Sequence, residues 1–245
     1  QNFMMWLYDF GIAARSQARV LSGLKAFYGY LIIEDVVDHD PSALVEGPKL
    51  GVKLPEVLSI EEIDLLIGGV DLSSKEGERN RALLETLYSC GLRVSELINL
   101  RISNLLFDEG FIRVTGKGNK ERLVPIGNVA IKYIGFYFES RRNHQMIKKE
   151  SEDIVFLNNR GSKLTRVMIF TIIKRLCEKT GIQKKVSPHT FRHSFATHLV
   201  DGGADLRAVQ EMLGHESITT TEIYTHLDSQ YLKDSITQYH PRVRR

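Results

Sequence analysis

Residues that could handle a phosphate group are concentrated between positions 187 and 225 of this 245-residue sequence. His189 and Arg192 are three residues apart, so in a helix their side chains project from neighbouring positions on one face. His215 and Tyr224 follow further along. The planar fork of arginine binds two phosphate oxygens, histidine donates hydrogen bonds or accepts a proton, and an activated tyrosine is a nucleophile. These residue types together suit an attack on a phosphodiester.

Three consecutive helices are predicted to position this set, and the third, over ITTTEIYTHLD, carries Tyr224. Ser187 begins the first helix, because a serine hydroxyl caps free backbone N–H groups and the proline after it suits the first helical position. Asp205 caps the second helix, and Gly214 ends it directly before His215. The buried face of the first helix consists of Phe191, Phe195 and Leu199. Because helix N-termini favour anions, the polar residues are expected to converge where a phosphate is stabilised.

The strings HTFRHSFATHL and LGHESITTTEIYTH resemble the signature of the tyrosine recombinases, the phage integrase family, and specifically its Xer subgroup. The resemblance implies an enzyme that breaks and rejoins DNA with a tyrosine nucleophile, without a metal or an added nucleotide. It also implies three further groups upstream. These are an arginine after a helix break, a carboxylate near that arginine, and a lysine in a β-turn.

The first two implied groups are found in the string CGLRVSEL, where Arg93 and Glu96 follow the helix break at Gly91. This string matches the first arginine box of the family and lies the expected distance upstream of HTFRH. On its own, the pair also fits a surface ion pair between residues i and i+3, worth a few tenths of a kcal/mol.

The lysine is expected at the tip of a β-hairpin. The segments FIRVTG and ERLVPI alternate and are rich in β-branched residues, and they flank a short polar turn. The string TGKGNKER resembles the family context of the catalytic lysine, which favours Lys117 over Lys120. Taken alone, Lys117 also fits a solvated turn lysine. Lys120 and Arg122 fit contacts to the DNA backbone or a role in solubility alone.

The resemblance implies a role for each member of the set. The two arginines would hold the nonbridging oxygens of the phosphate, and the two histidines would add hydrogen bonds. His189 is also a candidate to accept the proton of Tyr224, which would attack phosphorus and leave a 3′-phosphotyrosyl link. Lys117 would protonate the leaving 5′-oxygen, and Glu96 would orient a histidine or an arginine. The predicted catalytic residues are Arg93, Lys117, His189, Arg192, His215 and Tyr224.

Composition narrows the class of protein. Lysine and arginine number 33 against 30 acidic residues, a net charge of +3, so a local basic surface would have to attract DNA. Cys90 and Cys177 form no disulfide framework or zinc motif, which fits a reducing compartment. No apolar run has the length of a membrane span, and no signal peptide is visible. The prediction is a cytoplasmic, nucleoid-associated bacterial protein without cofactor, metal or membrane contact.

The predicted fold is mainly α-helical with a small antiparallel β-sheet. Residues 1–40 are expected to be part of a helical, SAM-like core-binding domain that grips DNA, with its beginning truncated. Residues 41–56 contain three prolines and form the predicted linker. Residues 57–245 form the predicted catalytic domain and its C-terminal helix. Within this domain, the pattern predicts a helix over residues 128–149 and a strand in DIVFL, residues 153–157.

Assembly and biological role are implied by the family alone. The resemblance implies a homotetramer, or a heterotetramer with a second recombinase, on a double-stranded recombination site. Leu232 and Ile236 on the C-terminal helix are candidate contacts to a partner, and packing on the same subunit is the alternative. The resemblance also implies resolution of chromosome dimers, with a DNA translocase of the FtsK type as a possible partner. Integration or transposition of a mobile element by the same chemistry stays open.

Two other classes of protein compete with this interpretation. His189 and His193 are four residues apart and could bind a metal, but the glutamate of the zinc protease pattern is missing and arginine lies between them. A non-catalytic DNA-binding protein on the same fold is the stronger rival. A covalent protein–DNA adduct formed in chelator would separate a recombinase from both. A type IB topoisomerase has related chemistry, but the Xer-like strings favour the recombinase. His193, His198 and His226 are interpreted as structural.

Overall fold

The computed structural model describes residues 1–51, 56–214 and 226–242, and only the backbone of residues 117 and 226–230. The chain divides into two compact units, Gln1–Leu54 and Pro55–Arg245. In the first unit, the described helices are α1 (Asn2–Asp9) and α2 (Ala14–Ile33). Among the described helices, none combines the length and the apolar content of a membrane-crossing segment.

The second unit is mainly helical with one three-stranded antiparallel sheet in the order β1-β2-β3, which confirms the predicted fold class. Strand β2 pairs with β3 in a hairpin that places Val114 opposite Arg122. The described elements are α3 (Ile60–Gly68), α4 (Gly77–Ser89), α5 (Val94–Ile98), β1 (Leu105–Leu106), β2 (Phe111–Thr115), β3 (Glu121–Pro125), α6 (Asn128–Ser140), α7 (Arg166–Thr180), α8 (Pro188–Gly202), α9 (Leu206–Leu213) and α10 (His226–Tyr239).

Local capping signals explain where the helices begin. Ser59 and Glu62 form a reciprocal capping box on α3, as the sequence predicts. The hydroxyl of Ser187 accepts a hydrogen bond from the N–H of Thr190, and Asp205 caps α9. Helix α4 is buried on nearly every side and forms the centre of the core, against which α8 packs through Phe191, Phe195 and Leu199. The helices that carry the predicted site are therefore anchored in the core.

Two predicted elements are wrong. The helix over residues 128–149 ends at Ser140, where Arg141 leaves helical geometry and the buried guanidinium of Arg142 donates hydrogen bonds to the carbonyls of Ile154 and Glu152. The strand expected over residues 153–157 is replaced by single antiparallel bridges, Arg101 with Ile154 and Leu157 with Lys163. Tertiary contacts of Arg142 therefore override the apolar pattern in both segments.

The C-terminal helix packs on its own chain. Leu232 and Ile236 of α10 are buried in the core of the second unit, so the structure has the same-subunit alternative rather than exposed partner contacts. Beyond α10, the His240 ring is buried against Tyr88 and Phe195, with centroid distances of 4.9 and 5.4 Å. The tail is thus fixed against α4 and α8.

Candidate active site

Arg93 lies at the turn between α4 and α5. Gly91 has a φ of +57°, and a Cβ atom there would lie 2.4 Å from the Phe195 ring, so the turn requires glycine. This conformation places Arg93 at the N-cap of α5, where its backbone N–H donates to Glu96 Oε2 at 2.8 Å. Its side chain is one-third exposed, at 33%. Arg93 is therefore held by its backbone while its guanidinium stays within reach of a substrate.

Glu96 is buried between two arginines. Its Oε1 accepts from Arg93 Nη1 at 2.9 Å, and its two oxygens accept from Arg122 Nη1 and Nη2 at 2.8 and 3.0 Å. Burial by itself would raise the pKa of this carboxyl, but the hydrogen bonds and charge of Arg122, together with Arg93, hold the pKa below its usual value. Glu96 is thus an anion at neutral pH, and the pair is not the surface ion pair that the sequence left open.

Arg192 enters the same region from α8. Its Nη1 donates to the Gly91 carbonyl at 2.8 Å and its Nη2 to the Leu213 carbonyl at 2.6 Å. Burial first, and then the nearby charges of Arg93 and Arg122 against an opposing effect of Glu96, lower the pKa of Arg192 to about 10. Arg192 is still a cation at neutral pH, but it has no carboxylate partner among the described residues.

Three arginines donate to three successive carbonyls at the carboxyl end of α9. Arg122 Nε donates to Met212 at 2.8 Å, Arg192 Nη2 to Leu213 at 2.6 Å and Arg93 Nη2 to Gly214 at 3.1 Å. Carbonyls at this end of a helix carry partial negative charge, which cations stabilise. His215 follows directly in the sequence but lies outside the described residues, as does Tyr224.

His189 occupies the first turn of α8 and is exposed. It lines a cleft of about 680 Å³ between α8 and α9 together with Arg192 and His193. On the other side of α5, Arg93 and Glu96 line a groove of about 1020 Å³ that reaches the hairpin turn. His189 therefore borders one opening, together with the buried Arg192, and Arg93 borders the other.

The hairpin carries the predicted lysine. Residues Lys117–Asn119 form its turn, with Gly118 at a φ of +71°, which confirms the predicted hairpin. The side chain of Lys117 lies outside the described residues, and Lys120 is exposed. Arg122 differs from its prediction as a contact to the DNA backbone. It is only 7% exposed and its guanidinium faces Glu96 and α9, because its position in β3 points inward.

The structure thus brings Arg93, Glu96 and Arg192 together and adds Arg122, whose part in the cluster the sequence reasoning missed. The sequence did contain a signal for this placement, because Arg122 and Val124 are two residues apart and so lie on the same, buried face of β3.

Of the histidines interpreted as structural, His198 is half-buried and its Nδ1 lies 2.8 Å from the Tyr88 hydroxyl. Among the residues that the structure describes, no group of three or more histidine, cysteine or acidic side chains is placed to hold a metal ion.

Comparison with known proteins gives close relatives over almost the whole chain. The phage integrase family matches residues 56–231. The chain is 46% identical over 243 residues to the tyrosine recombinase XerD of Staphylococcus aureus (strain N315), covering 99% of this chain and 82% of the relative. A tyrosine recombinase XerD of Staphylococcus epidermidis is 45% identical over the same share of each chain.

Solved structures of Xer recombinases also align with this chain. The crystal structure of XerA recombinase aligns with a TM-score of 0.60 and 32% identity, covering 98% of this chain and 82% of that chain. XerH bound to a palindromic difH substrate, in a post-cleavage complex, aligns with a TM-score of 0.73 and 27% identity, covering 94% of this chain and 69% of that one.

Proposed function

Because the chain belongs to the phage integrase family, as an Xer-type tyrosine site-specific recombinase, we propose that it cuts and rejoins DNA through Tyr224 and resolves chromosome dimers. The family assignment covers the reaction type. The identity of the catalytic residues and the biological role are the proposal. The catalytic residues are supported by the arrangement of charge around Glu96, and the biological role by the likeness to the XerD relatives.

The observation that carries the proposal is an excess of positive charge, with Arg122 and Arg192 buried and Arg93 one-third exposed. Arg93, Arg122 and Arg192 cluster around one carboxylate, Glu96, so three cations and one anion leave a formal charge of +2. Buried charge without a counter-ion is costly in a folded protein. Such a site gains most when an anion enters, and a phosphodiester supplies one charge that becomes more widely spread over its oxygens in the transition state.

The proposed chemistry uses this positive charge. The Tyr224 oxygen attacks phosphorus and gives its proton to His189, while Arg93 and Arg192 hold the nonbridging oxygens. The bond from phosphorus to the 5′-oxygen breaks, and Lys117 donates a proton to that oxygen. The products are a 3′-phosphotyrosyl link and a 5′-hydroxyl, so a 5′-hydroxyl from another strand reverses the reaction and exchanges strands. His215 adds a hydrogen bond to the phosphate.

Binding and assembly complete the proposal. The substrate is a double-stranded recombination site, in line with the difH substrate to which XerH is bound. Residues 1–40 form a helical domain that grips DNA, residues 41–56 link it to the catalytic domain at 57–245, and four protomers assemble on two duplexes. An FtsK-type translocase activates the complex at the chromosome.

The test is a trapping experiment. The chain and its Tyr224→Phe variant are incubated in EDTA with a pool of duplexes of randomised sequence, nicked so that the short 5′-hydroxyl fragment diffuses away after cleavage. A denaturant-resistant adduct formed only by the unmodified chain supports Tyr224 as nucleophile, and the DNA recovered with it identifies the site. DNA binding without an adduct in either protein would contradict the proposal.

The chromosomal role has its own test. A circular plasmid carrying two copies of the recovered site should be resolved into two circles by the chain together with a second recombinase and a translocase. Integration of a single-site circle into a second duplex, with no resolution, would instead favour a mobile-element enzyme.

A further inference from the structure

We propose that Arg122 is a positioning residue that holds the carboxyl end of α9 against the Glu96–Arg93 pair and so fixes the chain entering His215. This inference rests on the proposed function, because it concerns the alignment of residues assigned to catalysis there. Arg122 itself is buried and is not placed to touch DNA.

Arg122 uses one side chain to join three elements. From β3, its Nη1 and Nη2 bind both oxygens of Glu96 on α5, at 2.8 and 3.0 Å, while its Nε donates to the Met212 carbonyl on α9 at 2.8 Å. Because the guanidinium is planar and rigid, these bonds fix the distance and angle between α5 and α9. A lysine has one charged nitrogen on a flexible stem and cannot reproduce this fork.

The packing around Arg122 leaves little room for another arrangement. Gly214 has a φ of +64°, and a Cβ atom at this position would lie 3.1 to 3.3 Å from Cδ, Nε and Cζ of Arg122. The guanidinium therefore lies against the backbone of the last residue before His215. A side chain at position 214 would be strained at this φ and would press on Arg122.

The neighbouring carbonyls show which other side chains depend on the position that Arg122 gives to α9. The carbonyls of Leu213 and Gly214 accept hydrogen bonds from Arg192 and Arg93, the two arginines proposed to hold the phosphate. A shift of α9 would move both arginines and the chain leading into His215 at once. A misplacement of about 1 Å at a catalytic group costs about a hundredfold in rate.

The test compares Arg122→Lys with Arg79→Lys, a matched control. Arg79 is equally buried, at 5% against 7%, and its Nη1 also donates to a backbone carbonyl, that of Leu157, but it touches neither Glu96 nor α9. The adduct-forming DNA recovered from the nicked pool is the probe. Both the single-turnover rate of adduct formation at saturating DNA and the Kd for that DNA are measured.

We expect Arg122→Lys to lower the rate about 10- to 100-fold while the Kd stays within about twofold, because the charge is kept and only alignment is lost. Arg79→Lys should change neither value in the folded protein. A rate for Arg122→Lys equal to that of Arg79→Lys would overturn the inference.

Hydrogen exchange separates failure of this inference from failure of the proposed function. Exchange is followed by mass spectrometry in peptides covering residues 206–216 of the DNA-free proteins. Arg122→Lys should speed exchange at the end of α9 relative to the unmodified chain, and Arg79→Lys should not. Unchanged exchange would overturn the positioning role, whether or not any protein forms an adduct. Absence of an adduct in the unmodified chain contradicts only the proposed function.

Discussion

Two buried clusters of arginine and carboxylate lie in the second unit, and they differ in charge balance. Around Glu96, three arginines lie near one carboxylate, and only Arg93 and Arg122 bind it directly. Near the chain's end, Arg242 Nη1 lies 2.7 Å from Asp64 Oδ1 and its Nε lies 3.1 Å from Glu85 Oε2, while Arg81 Nε lies 3.2 Å from Glu85 Oε1. Two arginines and two carboxylates make that second cluster neutral.

The difference in balance distinguishes the proposed phosphate site from a structural contact. The neutral cluster is balanced in charge and holds the C-terminal tail against α3 and α4. The cluster around Glu96 lacks counter-charge, and its arginines donate instead to backbone carbonyls. A cluster with excess positive charge lowers the stability of the folded protein but favours the binding of an anion. This arrangement is expected where negative charge develops during a reaction.

The largest effect is expected from Arg192→Met, which removes a cation from the unbalanced cluster. We expect adduct formation to slow by about a thousandfold or more, because a cation aimed at the transition-state charge is lost. Single-turnover cleavage of the trapped DNA measures the rate. Cleavage within tenfold of the unmodified chain would show that the excess charge has no catalytic use.

Arg242→Met tests the balanced cluster. Removing one partner leaves Glu85, which is fully buried, with Arg81 alone, and we expect the free energy of unfolding to fall by about 3 kcal/mol. Urea denaturation gives this value. The cleavage rate per folded molecule should be kept, and a large loss of rate without a loss of stability would erase the distinction between the clusters.

His240, beside the balanced cluster, is expected to make stability depend on pH. Burial first, and then the charges of His198 and Arg242, lower the pKa of His240 to about 3. The unfolded chain therefore binds this proton below about pH 6.5 and the folded chain does not, so stability is complete above pH 6.5 and is lost as the pH falls toward 3.

Relative to His240→Asn, the unmodified chain should lose about 2 kcal/mol more between pH 7 and pH 5. Asparagine does not titrate, and its side-chain oxygen can replace Nδ1 as acceptor for the Arg242 N–H. Urea denaturation at each pH provides the comparison, and parallel stability curves would show that His240 is not buried as a neutral ring.

The smallest expected effect is stabilisation by a simple anion. Sulfate at several times its Kd should raise the free energy of unfolding by about 1 kcal/mol beyond the general salt effect, because it binds the folded cluster only. Arg192→Met should lose this increment and Arg242→Met should keep it. Thermal unfolding in sulfate and in sodium chloride of equal ionic strength makes the comparison, and equal increments in both variants would place the anion elsewhere.

Much of the fold follows from local sequence signals. Caps at Ser59, Ser187 and Asp205 and the glycine at 214 act within a few residues, so they predict helix ends correctly. The segment at residues 153–157 was mispredicted because an apolar run does not reveal its partners. Its backbone pairs instead with distant Leu100 and Arg101.

The candidate site shows the same contrast between what local sequence predicts and what distant contacts decide. Family strings pointed to Arg93, Glu96 and Arg192, which the structure brings together, whereas charge alone suggested that Arg122 faces solvent. Only the pairing of β3 with β2 and the approach of α9 turn Arg122 toward Glu96, and those contacts span many residues. Lys117, His215 and Tyr224 stay predictions as catalytic groups.

The most direct test of the central claim replaces the scissile phosphate with methylphosphonate. This group lacks one charged oxygen and is neutral, so it has less need of excess positive charge. The unmodified chain and Arg192→Met are compared on both nicked substrates. We predict that the loss caused by Arg192→Met is at least about tenfold smaller on methylphosphonate than on phosphate. An equal loss on the two substrates would contradict the account, because Arg192 would then act through something other than phosphate charge.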